Sequence, residues 1–140
     1  MNTNFPSMNI SDPSIVTHYG TLSMRDDILF VRLKEDLEIT SEILEHIHQK
    51  GVELSGGKPY CILADISLTN GSTQEARAFG SDNPYIKYHL AYAMLGNRTG
   101  ANIMANFFIK FNKPKVNTRL FKNEEEAVEW LKSFLPEKVF

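Results

Sequence analysis

The sequence predicts one α/β domain with a mixed sheet of about five strands and four helices. Its 140 residues, 42% of them hydrophobic, are sufficient for a single core. Two strand-like runs come first, and helix-like and strand-like runs then alternate, an order typical of a hairpin followed by αβ units. Residues 60–64 form an almost continuous apolar run, as in strands that helices cover on both faces. We therefore expect right-handed crossovers and parallel later strands.

The N-terminal region is predicted to be a loose leader followed by a hairpin. Residues 1–13 are rich in Asn, Ser and Pro, so we divide the chain into a flexible leader over 1–13 and a single domain over 14–140. Strand-like runs over 15–24 and 28–33 are separated by residues 25–27, which have the composition of a turn. The hairpin would leave an edge strand with unpaired backbone groups, which favours a homodimer.

The first two helices are predicted from their capping residues. Thr40 precedes apolar residues at helical spacing, and this helix ends either at Gly51 or at the Ser-Gly-Gly cluster over 55–57. After the buried strand, Ser72 with a glutamate three residues later forms a capping box. It opens a short helix with Gly80 as its stop.

The second half of the chain continues the alternation of helices and strands. A short helical piece begins at residues 83–84, and a strand follows over 89–95. Thr99 caps a third helix that Pro114 stops, a last strand covers 116–121, and Asn123 caps the fourth helix. The third helix is predicted to bury one apolar face, which comprises Ile103, Met104, Phe107, Phe108 and Phe111.

Composition and charge exclude several classes of function. A net charge of −2 carries no electrostatic footprint for nucleic acid. No run approaches the roughly 18 apolar residues of a membrane span, and a lone cysteine indicates a reducing compartment, so we expect a cytoplasmic protein without membrane spans. Cys61 lies in the most apolar strand, where a thiol is a poor nucleophile. His46 and His48 are two residues apart on a helix and cannot face one metal. We expect no metal, no cofactor and no catalytic activity.

The loop that follows the buried strand is the main candidate site. Sites in α/β sheets gather beyond the carboxyl ends of the strands, and this loop carries several hydroxyl groups. A second polar turn, around residues 96–100, precedes the third helix. The candidate ligand-binding or partner-binding residues on these segments are Asp65, Asn70, Arg77, Asn97 and Arg98. A purely structural interpretation, with a helix cap and an Asp65–Arg77 ion pair, remains open.

Aromatic residues suggest a different kind of site. A pocket between the sheet and the helical piece at Pro84 would be lined by Phe79, Tyr85, Tyr88, Tyr92, Phe107 and Phe108. Arg77 or Arg98 would hold an acidic group of the ligand, or the rings would simply fill the core. An enzyme that uses Asp65, Arg77 and His89 together is a third hypothesis.

Five short sequence marks occur in a fixed order between residues 65 and 131. They are Asp65, Glu75-Ala76-Arg77, Ala91-Tyr92-Ala93, Asn106-Phe107-Phe108 and Ala127-Val128-Glu129-Trp130-Leu131. With these marks the chain resembles the SpoIIAA-like (STAS-type) fold, and in particular a group of small uncharacterised bacterial proteins of that fold.

The resemblance implies a regulatory domain with a protein partner and a tendency to form homodimers. Anti-sigma-factor antagonists of this fold carry an Asp-Ser-Ser/Thr-Gly signature whose hydroxyl is phosphorylated by a partner kinase. Here the glycine comes only at position 71, and the candidate phospho-acceptors are Ser67, Thr69, Ser72 and Thr73. We therefore expect a non-catalytic regulatory or protein-interaction module; the alternative is a small-molecule carrier or sensor with an apolar pocket beside the sheet.

Overall fold

A computed structural model describes residues 12–96 and 99–136, without the side chains of Thr99, Ala101 and Phe107. The predicted leader therefore lies outside the described residues except for its last two positions. The strands are β1 Ser14–Val16, β2 Gly20–Arg25, β3 Ile28–Leu33, β4 Tyr60–Asp65, β5 His89–Leu95 and β6 Thr118–Phe121. The helices are α1 Ser41–Ser55, α2 Gln74–Ser81, α3 Thr99–Phe107 and α4 Glu124–Lys132. A 3-10 turn covers Ile86–Tyr88, and a π-helical segment covers Phe108–Asn112.

The sheet is mixed, as predicted, with its six strands in sequential order. Strand β2 is antiparallel to both of its neighbours, β1 and β3, whereas β3 to β6 are parallel. The prediction of one strand over 15–24 was wrong, and this accounts for the sixth strand. Thr17 turns the chain, because its hydroxyl donates to the Gly20 carbonyl at 2.7 Å and its N–H donates to the same oxygen. A Cβ on Gly20 would overlap the carbonyl oxygen of Arg32, so the chain returns close against β3.

Helices cover the two faces of the sheet unequally. Helices α1, α2 and α3 lie on one face, which we call the three-helix face, and α4 covers the other. Alternate residues of each strand contribute to the two cores. In β4, for example, Ile62 belongs to the core of the three-helix face, whereas Cys61 and Leu63 pack with Leu131 of α4.

Capping residues place most helix boundaries where the sequence predicts them. The Thr40 side chain accepts the Ile43 N–H, and α1 ends at Ser55 with Gly56 in the left-handed conformation, so the second predicted stop is correct. Asn123 caps α4. The capping box at Ser72 was wrong by one residue, because Thr73 accepts the Ala76 N–H at 3.0 Å.

Three further predictions about helices and strands were wrong. Helix α2 continues through Gly80 instead of stopping there, and β6 begins at Thr118 instead of residue 116. The exposed fraction is 62% for both Ile103 and Phe111, which were expected to be buried. The buried side of this helix instead passes through Ala105, whose small side chain permits close packing, and Phe108. The π-helical segment then adds a residue per turn and rotates Phe111 away from the core.

Candidate functional site

A cavity of about 150 Å³ lies between the sheet and the helices of the three-helix face. Most of its lining is aliphatic, and α1, α2 and α3 all contribute, together with β3, β4 and β5. Representative lining residues are Val31 and Leu33 of β3, Ile62 and Ala64 of β4, Leu44 and Ile47 of α1, Met94 of β5 and Met104 of α3. Protein interiors are close-packed and contain few voids larger than a water molecule, so a cavity of this size needs an explanation in the sequence.

Small residues create this space. Ala64 on β4, Ala76 and Gly80 on α2, and Ala105 on α3 all line the cavity. Ala76 and Ala105 are almost completely buried, and each contributes only a methyl group to the cavity wall. The cavity therefore results from small side chains on three separate elements that face one another.

Two histidines and two tyrosines form a buried group beside the cavity, which we call the imidazole–tyrosine cluster (His48, Tyr60, His89 and Tyr92). The Tyr60 hydroxyl lies 3.1 Å from Nε2 of His89, and Nδ1 of His89 lies 2.6 Å from the Tyr92 hydroxyl. The ring centroids of His48 and His89 are 4.7 Å apart. Of these four residues, His48 and Tyr92 line the cavity directly.

Burial keeps the imidazole–tyrosine cluster uncharged. It lowers the pKa of His48 to about 4, and burial together with the neighbouring His48 lowers the pKa of His89 to about 3. Burial raises the pKa of the Tyr60 and Tyr92 hydroxyls well above the ordinary value of 10.0. At neutral pH the polar groups at this part of the cavity wall are therefore neutral hydrogen-bonding groups.

Arg77 and Ser72 line another part of the cavity, near the carboxyl edge of the sheet. A guanidinium nitrogen of Arg77 donates to the Ser72 carbonyl at 2.6 Å and to the Ser72 hydroxyl at 3.2 Å. Thr69 also lines the cavity, and its hydroxyl donates to the Ile66 carbonyl at 2.8 Å. The structure thus brings two groups that the sequence singled out, Arg77 and the hydroxyl-rich loop, to the edge of the same cavity.

The loop between β4 and α2 is tied to the connection between β3 and α1. Backbone N–H groups of Asn70 and Thr73 donate to the carbonyls of Leu37 and Ile39, and the Ile39 N–H donates to the Gly71 carbonyl at 2.9 Å. An isolated parallel bridge joins Ile39 to Ser72. These backbone hydrogen bonds hold the loop in an ordered conformation along the cavity edge.

The four predicted phospho-acceptors differ in accessibility. Ser67 and Thr69 are buried, and the Ser67 hydroxyl donates to the Leu95 carbonyl at 3.4 Å. Ser72 and Thr73 are half-buried, and the Thr73 hydroxyl is occupied as the cap of α2. A kinase would thus reach Ser72 with the least rearrangement.

The remaining candidate residues do not converge on one site. Asp65 is in phase with the β4 residues that face α4, and its carboxylate contributes to raising the pKa of Glu124 on that side. His89 is paired with Tyr60 at the opposite end of β4, roughly 16 Å away along the strand. The three-residue enzyme hypothesis therefore lacks its geometry. Asn97 and Arg98 lie outside the described residues, and Asn70 is exposed.

The predicted aromatic pocket is only partly reproduced. Tyr92 and Phe108 line the cavity, whereas Phe79 and Tyr85 pack against the ring of His48. Tyr88 packs against the core of the same face, and the Phe107 side chain lies outside the described atoms. Sequence reasoning missed His48, although its position four residues after Leu44 on the apolar side of α1 is a signal of burial.

The comparisons with known proteins support the fold and the family. Residues 22–135 match a family model described as "Domain of unknown function (DUF7793)", and the chain therefore belongs to that family. No curated protein matches the sequence.

One solved structure is similar to this chain over most of the length of both proteins. It is the crystal structure of an uncharacterized protein from the DUF3478 family with a SpoIIAA-like fold, from Shewanella loihica PV-4. The two proteins are 17% identical, with a TM-score of 0.55, and the match covers 89% of this chain and 98% of the other. The fold of this domain is SpoIIAA-like, which confirms the resemblance noted in the sequence. In the part of the chain that the structure describes, no helix is long and apolar enough to cross a membrane.

Proposed function

We propose that this domain binds a small apolar molecule in the cavity of the three-helix face and acts as a carrier or sensor without catalysing a reaction. The observation that carries the proposal is the cavity of about 150 Å³ with its aliphatic lining. An enclosed apolar cavity of about 150 Å³ engineered into another protein stays dry and binds benzene, so the volume is sufficient for a ligand of that size. An empty cavity reduces stability, and a bound ligand restores the lost contacts.

A non-catalytic role is supported by the separation of the ionisable groups. Asp65 and His89 lie at opposite ends of β4 and β5, and Arg77 is hydrogen-bonded to Ser72. The imidazole–tyrosine cluster is held neutral by burial, which is suited to binding. General acid–base catalysis would instead require a pKa near the working pH.

Methyl-resolved NMR with toluene as the probe tests binding and location together. Resonances of Ile47, Ile62 and Met104, which line the cavity, should shift on titration. Those of Leu63 and Leu131, on the α4 side, should stay constant. Shifts of equal size on both faces, or none at saturating toluene, would contradict the proposal.

A blocking variant makes the test specific. Ala64→Leu places three additional carbon atoms in the cavity and should abolish toluene binding while the domain remains folded. Ala78→Leu is the matched control, because Ala78 is exposed on α2 and does not line the cavity. Loss of binding in both variants, or in neither, would show that toluene is not in this cavity.

A protein-interaction module is the second candidate, and the edge of the sheet favours it. Strand β1 is at the edge, and the exposed fraction of Val16 on this strand is 83%. We propose that two copies pair through β1, since exposed edges invite additional strands. Light scattering at high concentration should give the mass of a dimer, and Val16→Lys should shift it to a monomer; a monomer before mutation would contradict this.

Regulation by phosphorylation, if coupled to this role, is best supported at Ser72. Its hydroxyl lies 3.2 Å from the Arg77 guanidinium, which would pair with a phosphoryl group. Mass spectrometry of the protein from its own host should locate the modification at Ser72, and Ser72→Ala should remove it. A phosphoryl group on buried Ser67 would instead show that the loop opens.

A further inference from the structure

Arg77 is the only residue with a permanently charged side chain among the described residues that line the cavity. It shares one side of α2 with Ala76 and Gly80, which line the cavity as well. The two other ionisable side chains of the wall, His48 and Tyr92, are uncharged at neutral pH, because burial lowers the pKa of the histidine and raises the pKa of the tyrosine. A negatively charged group of a ligand therefore has one position in this cavity at which its charge is compensated.

The guanidinium of Arg77 lies at the edge of the cavity and is held there. Arg77 is half-buried, whereas Ile62 and Ala105 in the cavity wall are almost completely buried. One guanidinium nitrogen donates to the carbonyl and to the hydroxyl of Ser72, and a parallel bridge to Ile39 fixes the loop that carries Ser72. A charged group that is restrained in this way loses little conformational freedom when a ligand binds.

Physical chemistry limits the kind of ligand that fits this arrangement. An ionised group is costly to bury in an apolar environment, so it stays at the edge beside Arg77 while the apolar part of the ligand enters the cavity. The planar guanidinium matches a carboxylate, and it balances the single negative charge of that group. A phosphate monoester carries a charge of about −1.5 to −2 at neutral pH, which one guanidinium leaves partly uncompensated. The apolar part is limited to about one aromatic ring or a short alkyl chain, because a cavity of about 150 Å³ accommodates benzene.

We propose that the ligand is a small carboxylic acid, bound with its hydrocarbon part in the cavity and its carboxylate paired with the guanidinium of Arg77. This inference rests on the proposed ligand-binding function and specifies its ligand class. The wall determines the orientation, because aliphatic residues such as Ile47 and Ile62 line the interior whereas Arg77 lies at the edge. A neutral apolar molecule would fill the same cavity without the charged contact.

Hexanoate and 1-hexanol provide the test, because both have a short alkyl chain and only hexanoate is charged at neutral pH. NMR titrations give the dissociation constants of both probes for the unmodified domain and for Arg77→Gln. The preference for hexanoate over 1-hexanol should fall about tenfold in this variant, as expected when hydrogen bonds to a charged group are lost. Because each preference is a ratio, the different hydration of the two probes cancels when the two proteins are compared.

Two control measurements accompany the titrations. Arg119→Gln is the matched variant, because it removes the same charge from an exposed arginine of β6 that does not line this cavity, and its preference should equal that of the unmodified domain. The dissociation constant of 1-hexanol should be the same for Arg77→Gln and the unmodified domain, which shows that the variant keeps the cavity.

A spectroscopic measurement tests the contact without mutation. In the unmodified domain, the resonance of the Arg77 Nε–H group should shift at saturation with hexanoate and shift much less with 1-hexanol. If Arg77→Gln loses 1-hexanol binding and thus its cavity, this measurement decides, and equal shifts with both probes would contradict the contact.

The outcomes separate this inference from the function on which it rests. If 1-hexanol binds but the preference for hexanoate is the same with and without Arg77, the carboxylate contact is wrong and the apolar site remains. The same conclusion follows if Arg119→Gln lowers the preference as much as Arg77→Gln does. If neither these probes nor toluene bind the unmodified domain, both the site and the ligand class are overturned.

Discussion

Replacing Gly51 by alanine should destabilise the domain, because α1 passes too close to β4 at this position to accept a methyl group. Gly51 is buried in the helix, and a Cβ there would overlap the Tyr60 hydroxyl. The same Cβ would lie 2.9 Å from Cζ of Tyr60 and 3.0 Å from a methyl carbon of Leu29. Neither neighbour moves easily, since Tyr60 and Leu29 are 0% exposed.

Opposing contributions determine how far Gly51→Ala lowers the free energy of unfolding. Alanine is favoured over glycine in a helix by about 1 kcal/mol. Forcing a methyl group into a packed core costs about 1–3 kcal/mol, and displacing Tyr60 from His89 costs about 1 kcal/mol more. The net loss is about 1–3 kcal/mol, which corresponds to a fall in Tm of roughly 4–10 °C for a domain of this size.

Gly80→Ala is the matched control for this prediction. A Cβ on Gly80 would lie 3.5 Å from the Phe108 ring and 3.7 Å from Leu44, which are ordinary contacts. The same glycine-to-alanine change should therefore stabilise the domain by up to about 1 kcal/mol. Urea unfolding followed by circular dichroism measures both variants. The packing argument would be refuted if both variants changed the free energy of unfolding by the same amount in the same direction. It would also be refuted if Gly51→Ala were as stable as the unmodified domain.

Further predictions concern ionisable groups. The folded-state pKa of His48, about 4, lies below the ordinary 6.5, so its contribution to stability is present above pH 6.5 and is lost as pH falls towards 4. Between pH 7 and pH 5, urea unfolding should show that the unmodified domain loses about 2 kcal/mol of stability relative to His48→Phe, because the comparison removes the pH dependence that other groups contribute to both proteins. Burial, and to a smaller extent the charge of Asp65, raises the pKa of Glu124 to about 7. The contribution of Glu124 to stability is therefore present below pH 4.5 and is lost as pH rises through 7. Glu124→Gln should remove this dependence from unfolding curves at pH 5 and 8. Burial raises the pKa of Cys61 to about 12, so its reaction with a disulfide reagent should follow the rate of unfolding; fast labelling of the folded domain would be inconsistent with its position in the core.

The fold was largely predictable, because local chemistry and the overall architecture agree. Thr40 and Asn123 cap helices in the structure as in the prediction, since their side chains accept N–H groups three residues later. The apolar run that became β4 is covered by helices on both faces, as expected for a central parallel strand. These signals depend on a few neighbouring residues, and tertiary contacts did not override them.

The structure differs from the sequence prediction where the local sequence allows two similar conformations and tertiary contacts select one of them. Ser72 and Thr73 are both good caps, and the bridge from Ile39 to Ser72 leaves the cap position to Thr73. Ile103 and Phe111 have helical spacing with buried residues, but the close contact at Ala105 and the π-helical segment expose them. The cavity was predicted only in outline, because its volume depends on small residues from three elements that meet only in the folded chain.

Two glycines with opposite roles position the candidate site. Gly51 lets α1 approach β4 until the helix backbone contacts Tyr60, and Tyr60 holds His89 against the ring of His48. Gly80 lies on α2 at the cavity wall, where the absence of a side chain keeps volume open between Phe108 and Leu44. Gly51 therefore determines the position of the imidazole–tyrosine cluster, and Gly80 helps to keep the neighbouring cavity open. A methyl group at position 51 would displace the cluster that holds His48, whereas one at position 80 would narrow the cavity and leave that cluster in place.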